Sequence, residues 1–362
     1  MVFGLVSLLS VPSVLDTLIG TRRSSSTYTA YSRYRSTLAH VLSWTQYEMK
    51  PGTLSWQSLS TTRSRHLQAN KAGALQGRRA VSQRDLAFAL ISIVGFGILE
   101  PSKFSIRQRR SQDWEGYNHL FRTIGYLTGL EERYNVCRPS VEETRAVCRL
   151  IVQRVFAPCL ERVPEYYEHM ARALLTGLGT LDASIETTSV LYWVKHLAGV
   201  PGYVYTEADR IDFQRRLKKH LNGKADHIGV DAASLMDKSA ISGLPDRPPR
   251  YLYVRDFDCL ETTPAYKQLR FAGRYRLAVN NLVLAVYNTE VGRYILNLLF
   301  RWNNAVATYF PYKAFLKFGI RRSYVSMARE TAKDDTKPRP NAEYARPLPP
   351  DTWYGKILTV IW

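Results

Sequence analysis

The stretch VSQRDLAFALISIVGFGIL, residues 81–99, decides the fold class of this chain. Ser82 stands where a helix N-cap is expected, and Asp85 follows at the spacing at which the two side chains cap a helix start reciprocally. The body that follows is almost wholly apolar, and a helix that is apolar on all sides is buried on all sides. The stretch therefore predicts a buried central helix.

The segments on either side of this stretch repeat the helical period. Residues 28–48 carry apolar side chains at intervals of three and four, as does SQDWEGYNHLFRTIGYLTGL at 111–130. A further helix is predicted after Ser140, which precedes two first-turn glutamates. Strand-like alternation is rare, and PRYLYVRDF at 249–257 is the best example. The sequence thus predicts an all-α fold, a helical bundle.

Changes in composition divide the chain into a helical domain and a tail. We predict one helical domain over residues 1–325, with an irregular insertion at 221–265 that is rich in Gly, Pro and Asp. Residues 326–362 are polar and proline-rich, which predicts a tail.

The formal net charge is +19, and the basic excess is concentrated near the N-terminus. Before residue 80 there are ten Lys and Arg residues but only two acids, Asp16 and Glu48. A zinc finger, an RNP motif or a basic zipper would be needed to favour nucleic acid, and the sequence has none. Nucleic acid is therefore an unlikely partner, whereas an anionic membrane surface fits the charge.

Membrane and export signals are weak. The longest later apolar run, residues 86–99, is shorter than the roughly 20 residues that a membrane span needs. The opening MVFGLVSLLSVPSVLDTLIG lacks a basic start and has Pro12 and Asp16 within its apolar run, so we do not expect a cleaved signal peptide. The sequence predicts no transmembrane helix and an intracellular protein.

Among familiar catalytic motifs the sequence offers none, which leaves the histidines as candidates. Arg63 and His66 are three residues apart and share one face of a helix. Such a pair suits a haem, because a neutral imidazole binds iron while a guanidinium pairs with a propionate. The spacing of Arg63 and His66 alone is equally consistent with the solvated, basic end of a helix. For His40 and His119, a packed core histidine and a metal ligand are both open.

Three blocks of sequence resemble one known family. They are AVSQRDLAFALISIVGFGILEPSKFSI at 80–106, DWEGYNHLFRTIGYLTGLEERYNVC at 113–137 and ETRAVC at 143–148. Together they are similar to the animal branch of the ER-bound oxygenase mpaB / rubber oxygenase catalytic domain family, which includes latex clearing protein. The segments SSSTYTAYSRYRSTLAHVLSW and YFPYKAFLKFGIRRSY look like the family's flanking parts.

The resemblance implies a globin-like helical core around haem b and oxidative cleavage of isoprenoid C=C bonds by dioxygen. The family's haem histidine stands in an R-x-x-H motif, which here is Arg63 and His66. His66 would then be the iron ligand and Arg63 a partner of the haem. The family domain usually has further helices before the point where this chain begins, and an endoplasmic reticulum or membrane-associated location is implied.

On the other face of the haem the family carries an R-x-x-K-T motif. The matching positions here are Arg33, Ser36 and Thr37, so serine replaces the lysine that could occupy the sixth iron position. The resemblance predicts Arg33 and Thr37 as catalytic residues, Ser36 as a haem contact and an open or water-bound distal site. A distal acid one helix earlier would correspond to Asp16.

The leading hypothesis is a haem-dependent oxygenase that uses dioxygen to cleave a C=C bond of an apolar substrate, with isoprenoids as the candidate class. A non-catalytic haem- or lipid-binding protein is the alternative, because the distal lysine is missing. A basic helical scaffold on anionic membranes is a further alternative.

Overall fold

A computed structural model describes residues 1–75, 77, 80–108, 110, 112–182, 184–200, 261, 263–329, 331–344 and 352–361. The α-helices are α1 (Val2–Leu9), α2 (Pro12–Thr21), α3 (Thr27–Gln46), α4 (Leu54–Leu75), α5 (Gln83–Leu99), α6 (Asp113–Leu127), α7 (Val141–Ile151), α8 (Ala157–Glu161), α9 (Tyr167–Leu178), α10 (Thr187–Leu197), α11 (Pro264–Gln268), α12 (Phe271–Tyr287), α13 (Glu290–Tyr309), α14 (Tyr312–Phe318), α15 (Ile320–Ser323) and α16 (Trp353–Ile361). A π-helical turn, Val152–Phe156, joins α7 to α8, and no β-strand occurs in the described ranges.

The predicted all-α class is therefore confirmed within the described residues. The predicted strand at 249–257 lies outside those residues, as does nearly all of the predicted insertion at 221–265.

Helix α5 confirms the buried helix predicted from residues 81–99. Ser82 accepts a hydrogen bond from the Asp85 backbone, and the Asp85 side chain accepts one from the Ser82 backbone in return. Both α5 and α1 contribute most of their residues to the main hydrophobic core. At Gly4 the two helices touch through their backbones, because a Cβ there would lie 1.8 Å from the Ser92 carbonyl oxygen. Only glycine permits this crossing.

A second close crossing joins α9 to α3. A Cβ at Gly177 would lie 2.9 Å from the Tyr31 backbone nitrogen, so α3 is held tightly against the core on this side. On another side α3 packs against α4, and the helices run antiparallel, because His40 contacts Ser58 while the earlier Ser36 is near the later Arg65. This pair of helices carries most of the predicted site.

The residues after 325 are fastened to the helical domain. Asp334 accepts hydrogen bonds from the Ser26 backbone and the Thr29 hydroxyl at the start of α3. Tyr344 contacts His169 on α9, and the last helix, α16, packs on α12. The segment predicted as a tail thus includes a helix and a set of contacts at the start of α3.

Within the described residues, no single helix has the length and apolar composition for a membrane span. Helices α1 and α2 meet such a criterion only when they are taken together, and the chain bends by 96° between them.

Candidate functional site

The structure brings Arg33 and His66 close together. Arg33, Ser36 and Thr37 lie on α3, and His66 lies on the neighbouring antiparallel helix α4. The guanidinium of Arg33 is close enough to His66 to lower the pKa of the imidazole. The end of α6 completes the surroundings through the Thr128 backbone. Arg33, His66 and Thr128 therefore form one local group, although 95 positions of sequence separate the first from the last.

The environment of His66 favours the neutral imidazole. Burial lowers the pKa of His66, a hydrogen bond to the Thr128 backbone opposes this, and the charge of Arg33 lowers it further. Burial disfavours the charged ring because the protein interior solvates an imidazolium poorly. The neutral form is the one that binds metals, since it retains a lone pair on one ring nitrogen.

One ring nitrogen of His66 is left without a partner. Nδ1 is buried and has no hydrogen-bond partner in the described structure. A neutral imidazole carries a proton on one ring nitrogen and a lone pair on the other. Buried polar atoms without a partner are rare in native structures, so Nδ1 is the atom of His66 for which a partner is expected.

Arg33 is a largely buried cation without an acidic partner. Its Nη1 donates to the hydroxyls of Thr21 at 2.9 Å and Ser24 at 3.2 Å, and no described carboxylate pairs with it. Burial lowers the pKa of Arg33, and the nearby Arg23 and Arg65 lower it further. A buried charge is costly unless an opposite charge compensates for it. An anionic group beside Arg33 would therefore compensate for its charge.

Ser36 and Thr37 are placed on the same helix but in different ways. Ser36 is buried, and Arg65 approaches its hydroxyl at 3.4 Å. Thr37 donates to the Arg33 carbonyl at 3.1 Å, which satisfies its hydroxyl within α3. A guanidinium stays protonated at any ordinary pH, so Arg65 cannot replace the family's lysine as an iron ligand.

Arg63 and Asp16 are exposed, unlike the other predicted residues. Arg63 donates from Nη1 to the Leu127 carbonyl at 3.4 Å, at the end of α6. Arg63 therefore lies at the exposed margin of this group of residues. Asp16 lies on the outer side of α2, and this exposed position gives no support to the prediction that it is the distal acid.

Sequence reasoning missed Arg65, which is central to the local structure. Its Nη1 donates to His40 Nε2 at 3.0 Å, and its Nη2 donates to the carbonyls of Met327 at 2.6 Å and Arg329 at 2.8 Å. Arg65 therefore joins α3, α4 and the segment after α15. No local sequence signal could have shown this, because its partners lie 25 to 264 residues away.

The structure separates the remaining candidate histidines from the site. His40 is buried, accepts from Arg65 and therefore donates from Nδ1 to the Ser58 hydroxyl at 2.7 Å. Burial first, and Arg65 second, lower the pKa of His40 to about 4. Both of its nitrogens are engaged, so His40 is a core histidine. His119 is exposed on α6 rather than packed in the core, because it lies on the outer face of that helix.

Among the described residues, no group of three or more His, Cys, Asp or Glu side chains could hold a metal ion. A haem iron needs only one protein ligand, so this finding leaves the prediction for His66 as it stands. Two described cavities, of about 430 and 830 Å³, lie away from His66 and are lined by other residues.

Comparison with known proteins adds no relative. No family model, no curated protein and no solved structure matches this chain. The resemblance to the rubber oxygenase family therefore stays a prediction.

Proposed function

We propose that this chain is a haem-dependent oxygenase that cleaves a C=C bond of an apolar substrate with dioxygen, with isoprenoids as the candidate class. The observation that carries the proposal is the buried, unpartnered Nδ1 of His66. Burial favours the neutral form of this imidazole, which keeps a lone pair on one ring nitrogen. The resemblance names haem b as the ligand.

The charges around His66 fit the same cofactor. Haem b carries two propionates, and Arg63, at the exposed margin, is a candidate partner for one of them. Guanidinium groups suit carboxylates because two parallel N–H donors match the two oxygens. Arg33 is a largely buried guanidinium whose described hydrogen bonds go to hydroxyls. The side chains that support haem b are therefore the imidazole of His66 for the iron and the guanidinium of Arg63 for a propionate.

Cleavage of a C=C bond by dioxygen yields two carbonyl groups and uses both oxygen atoms, so the overall reaction balances without a reductant. When bound, haem b supplies the redox-active iron for this chemistry. His66 would hold the cofactor in place. Arg33 would stabilise negative charge that develops on oxygen, and Ser36 would leave the other face open because it has no amine to occupy it.

The first experiment tests haem binding. We expect the purified full chain, supplemented with haem, to show a Soret band and about one iron per chain. The His66→Ala variant should lose the band, whereas His119→Ala, an exposed histidine on α6, should keep it. A wild-type protein that stays colourless after haem supplementation would contradict the proposal.

A second candidate function is haem binding without turnover, as in a carrier or sensor. The observation that favours it is the buried Ser36 at the position of the family's lysine. Oxygen consumption with a polyunsaturated isoprenoid separates the two functions. For an oxygenase, we expect wild-type activity that falls in Arg33→Ala and Thr37→Ala while the Soret band persists. A haem-loaded wild type that consumes no oxygen would favour the carrier.

A further inference from the structure

Helix α13 exposes a continuous apolar face. Its members recur at intervals of three, four and seven residues, which places them on one side of a 20-residue helix. Val291 is 71% exposed and Trp302 is 67% exposed. We call this set the α13 face: Val291, Tyr294, Ile295, Leu298, Trp302 and Tyr309. Exposed apolar surface of this extent marks an interaction site rather than an ordinary protein surface.

The apolar surface continues beyond α13. Phe310 and, on α14, Leu316 are exposed, and so is Ile320 at the start of α15. The ring of Tyr31 contacts Phe318, and the Tyr31 hydroxyl donates to the Ser323 carbonyl at 2.6 Å. These contacts fix α14 and α15 to α3. The exposed apolar side chains are therefore presented from a rigid part of the molecule.

The charge around this surface is predominantly positive, although Glu290 at the start of α13 pairs with Arg293. Between residues 291 and 326 the sequence contains six cations and no acid. The cations are Arg293, Arg301, Lys313, Lys317, Arg321 and Arg322. Helices that lie in a membrane interface combine a Trp-, Phe- and Leu-rich face with Lys and Arg on the other side. A second copy of this chain would bring like charges together, whereas anionic lipid is complementary to them.

A cavity at the end of α13 also points to an anion. Its volume is about 430 Å³, and Arg35 and Arg329 line it while no acidic side chain does. Arg35 is only 7% exposed and donates from Nη2 to the Thr308 hydroxyl at 2.9 Å. Thr308 takes one of the five guanidinium N–H donors, and no carboxylate in the described residues compensates for the charge. This cavity suits a phosphate group.

We propose that the α13 face docks on an anionic phospholipid membrane, and that the Arg35 cavity receives a lipid phosphate. The aromatic and aliphatic side chains would enter the interface between headgroups and acyl chains. The surrounding cations would supply the preference for anionic lipid. The docking surface involves neither His66 nor Arg33, so it is independent of the proposed haem chemistry.

Vesicle flotation of the full chain tests this proposal. We expect binding to vesicles of phosphatidylcholine with phosphatidylserine, and weak binding to phosphatidylcholine alone. The double variant Leu298→Glu/Trp302→Glu should bind at least about tenfold more weakly, because two apolar side chains no longer enter the interface. The matched control, Leu150→Glu/Tyr126→Glu, changes a leucine and an aromatic of similar exposure on α7 and α6 and should bind as wild type.

Two further sets of variants test the charges. Arg301→Gln/Lys313→Gln should reduce the preference for phosphatidylserine, whereas Lys50→Gln/Arg133→Gln, two exposed cations elsewhere, should leave it unchanged. Arg35→Gln should weaken binding to anionic vesicles. Because Arg35 is buried, its fold is checked by circular dichroism, and Arg329→Gln provides an exposed second variant in the same cavity.

Three results would overturn the proposal. The wild type could bind neither kind of vesicle, or the Leu298→Glu/Trp302→Glu variant could bind as strongly as the wild type. Alternatively, light scattering could show a dimer that this variant dissociates, which would assign the α13 face to a second copy of the chain. A colourless protein that still binds anionic vesicles would refute the haem proposal and leave this one intact.

Discussion

The N-terminal body, α1 to α10, and the C-terminal hairpin, α12 and α13, use amphipathic helices in opposite ways. In the body, α9 buries Met170, Leu174 and Leu178 in the main core. In the hairpin, Gly292 is the one buried residue described on α13, and the apolar face of that helix is exposed. Both helices have similarly strong amphipathic character in sequence, so the pattern alone does not decide whether a face is covered.

The difference also divides the proposed functions between the two regions. The body holds His66 and Arg33 in a buried group, where desolvation favours the neutral imidazole and leaves the guanidinium charge costly. The hairpin exposes apolar side chains. In the two proposals, burial accounts for the chemistry of the first region and exposure for the binding of the second.

The largest expected effect contrasts one leucine from each region. Leu174→Ala should lower the free energy of unfolding by about 4 kcal/mol, because it leaves a cavity in a fully buried part of α9. Leu298→Ala should change it by less than about 0.5 kcal/mol, because Leu298 is exposed on α13. Chemical denaturation measures both. A large loss for Leu298→Ala would show that something within this chain covers the α13 face.

The next expected effect is a dependence on pH from the buried network of the body. His40 has a pKa of about 4 in the folded protein, below its ordinary value of 6.5. The unfolded chain therefore takes up a proton first as the pH falls, and the stability present above pH 6.5 is lost towards pH 4. Between pH 7 and pH 5 this loss should be on the order of 2 kcal/mol.

The control for this prediction is His40→Gln, which cannot titrate. Its unfolding free energy should fall less steeply with pH than that of the wild type. The slope should not vanish, because burial also lowers the pKa of His66 and His196. Equal slopes for variant and wild type would mean that His40 titrates normally in the folded protein.

The smallest expected effect concerns the segment that fastens the C-terminal part to the body. Asp334→Asn should cost about 1 kcal/mol, because the carboxylate accepts from the Ser26 backbone and the Thr29 hydroxyl at the start of α3. Asp335→Asn is the matched control: its side chain is 94% exposed and pairs with Arg22 at the surface, so little change is expected. Equal effects in thermal melts would contradict the role of Asp334.

Local rules predicted the helices well where their causes are local. Ser82 and Asp85 form the expected reciprocal cap at the start of α5, and Ser140 caps α7 through the Glu143 backbone. These interactions span three residues, so the sequence contains all the information they need. A role for Asp16 beside a haem and a core position for His119 depend on tertiary packing instead, and both residues are exposed.

The candidate site was predictable only in part. The spacing of Arg63 and His66 and that of Arg33 and Thr37 give their positions along α4 and α3. The partner of each side chain depends on how those helices pack. Arg65 shows this most clearly, because its links to His40, Met327 and Arg329 arise from three separate parts of the chain.

The sequence by itself determined the helical class, the capped buried helix α5, and the helical positions of the residues resembling a haem motif. Only the tertiary structure decided that His66 Nδ1 is buried without a partner, that Arg33 is a largely buried cation beside it, and that the α13 face is exposed. The physical reason is the distance along the sequence over which each interaction acts. Capping and helical period act within a few residues, whereas burial, desolvation and uncompensated charge depend on which distant segments meet.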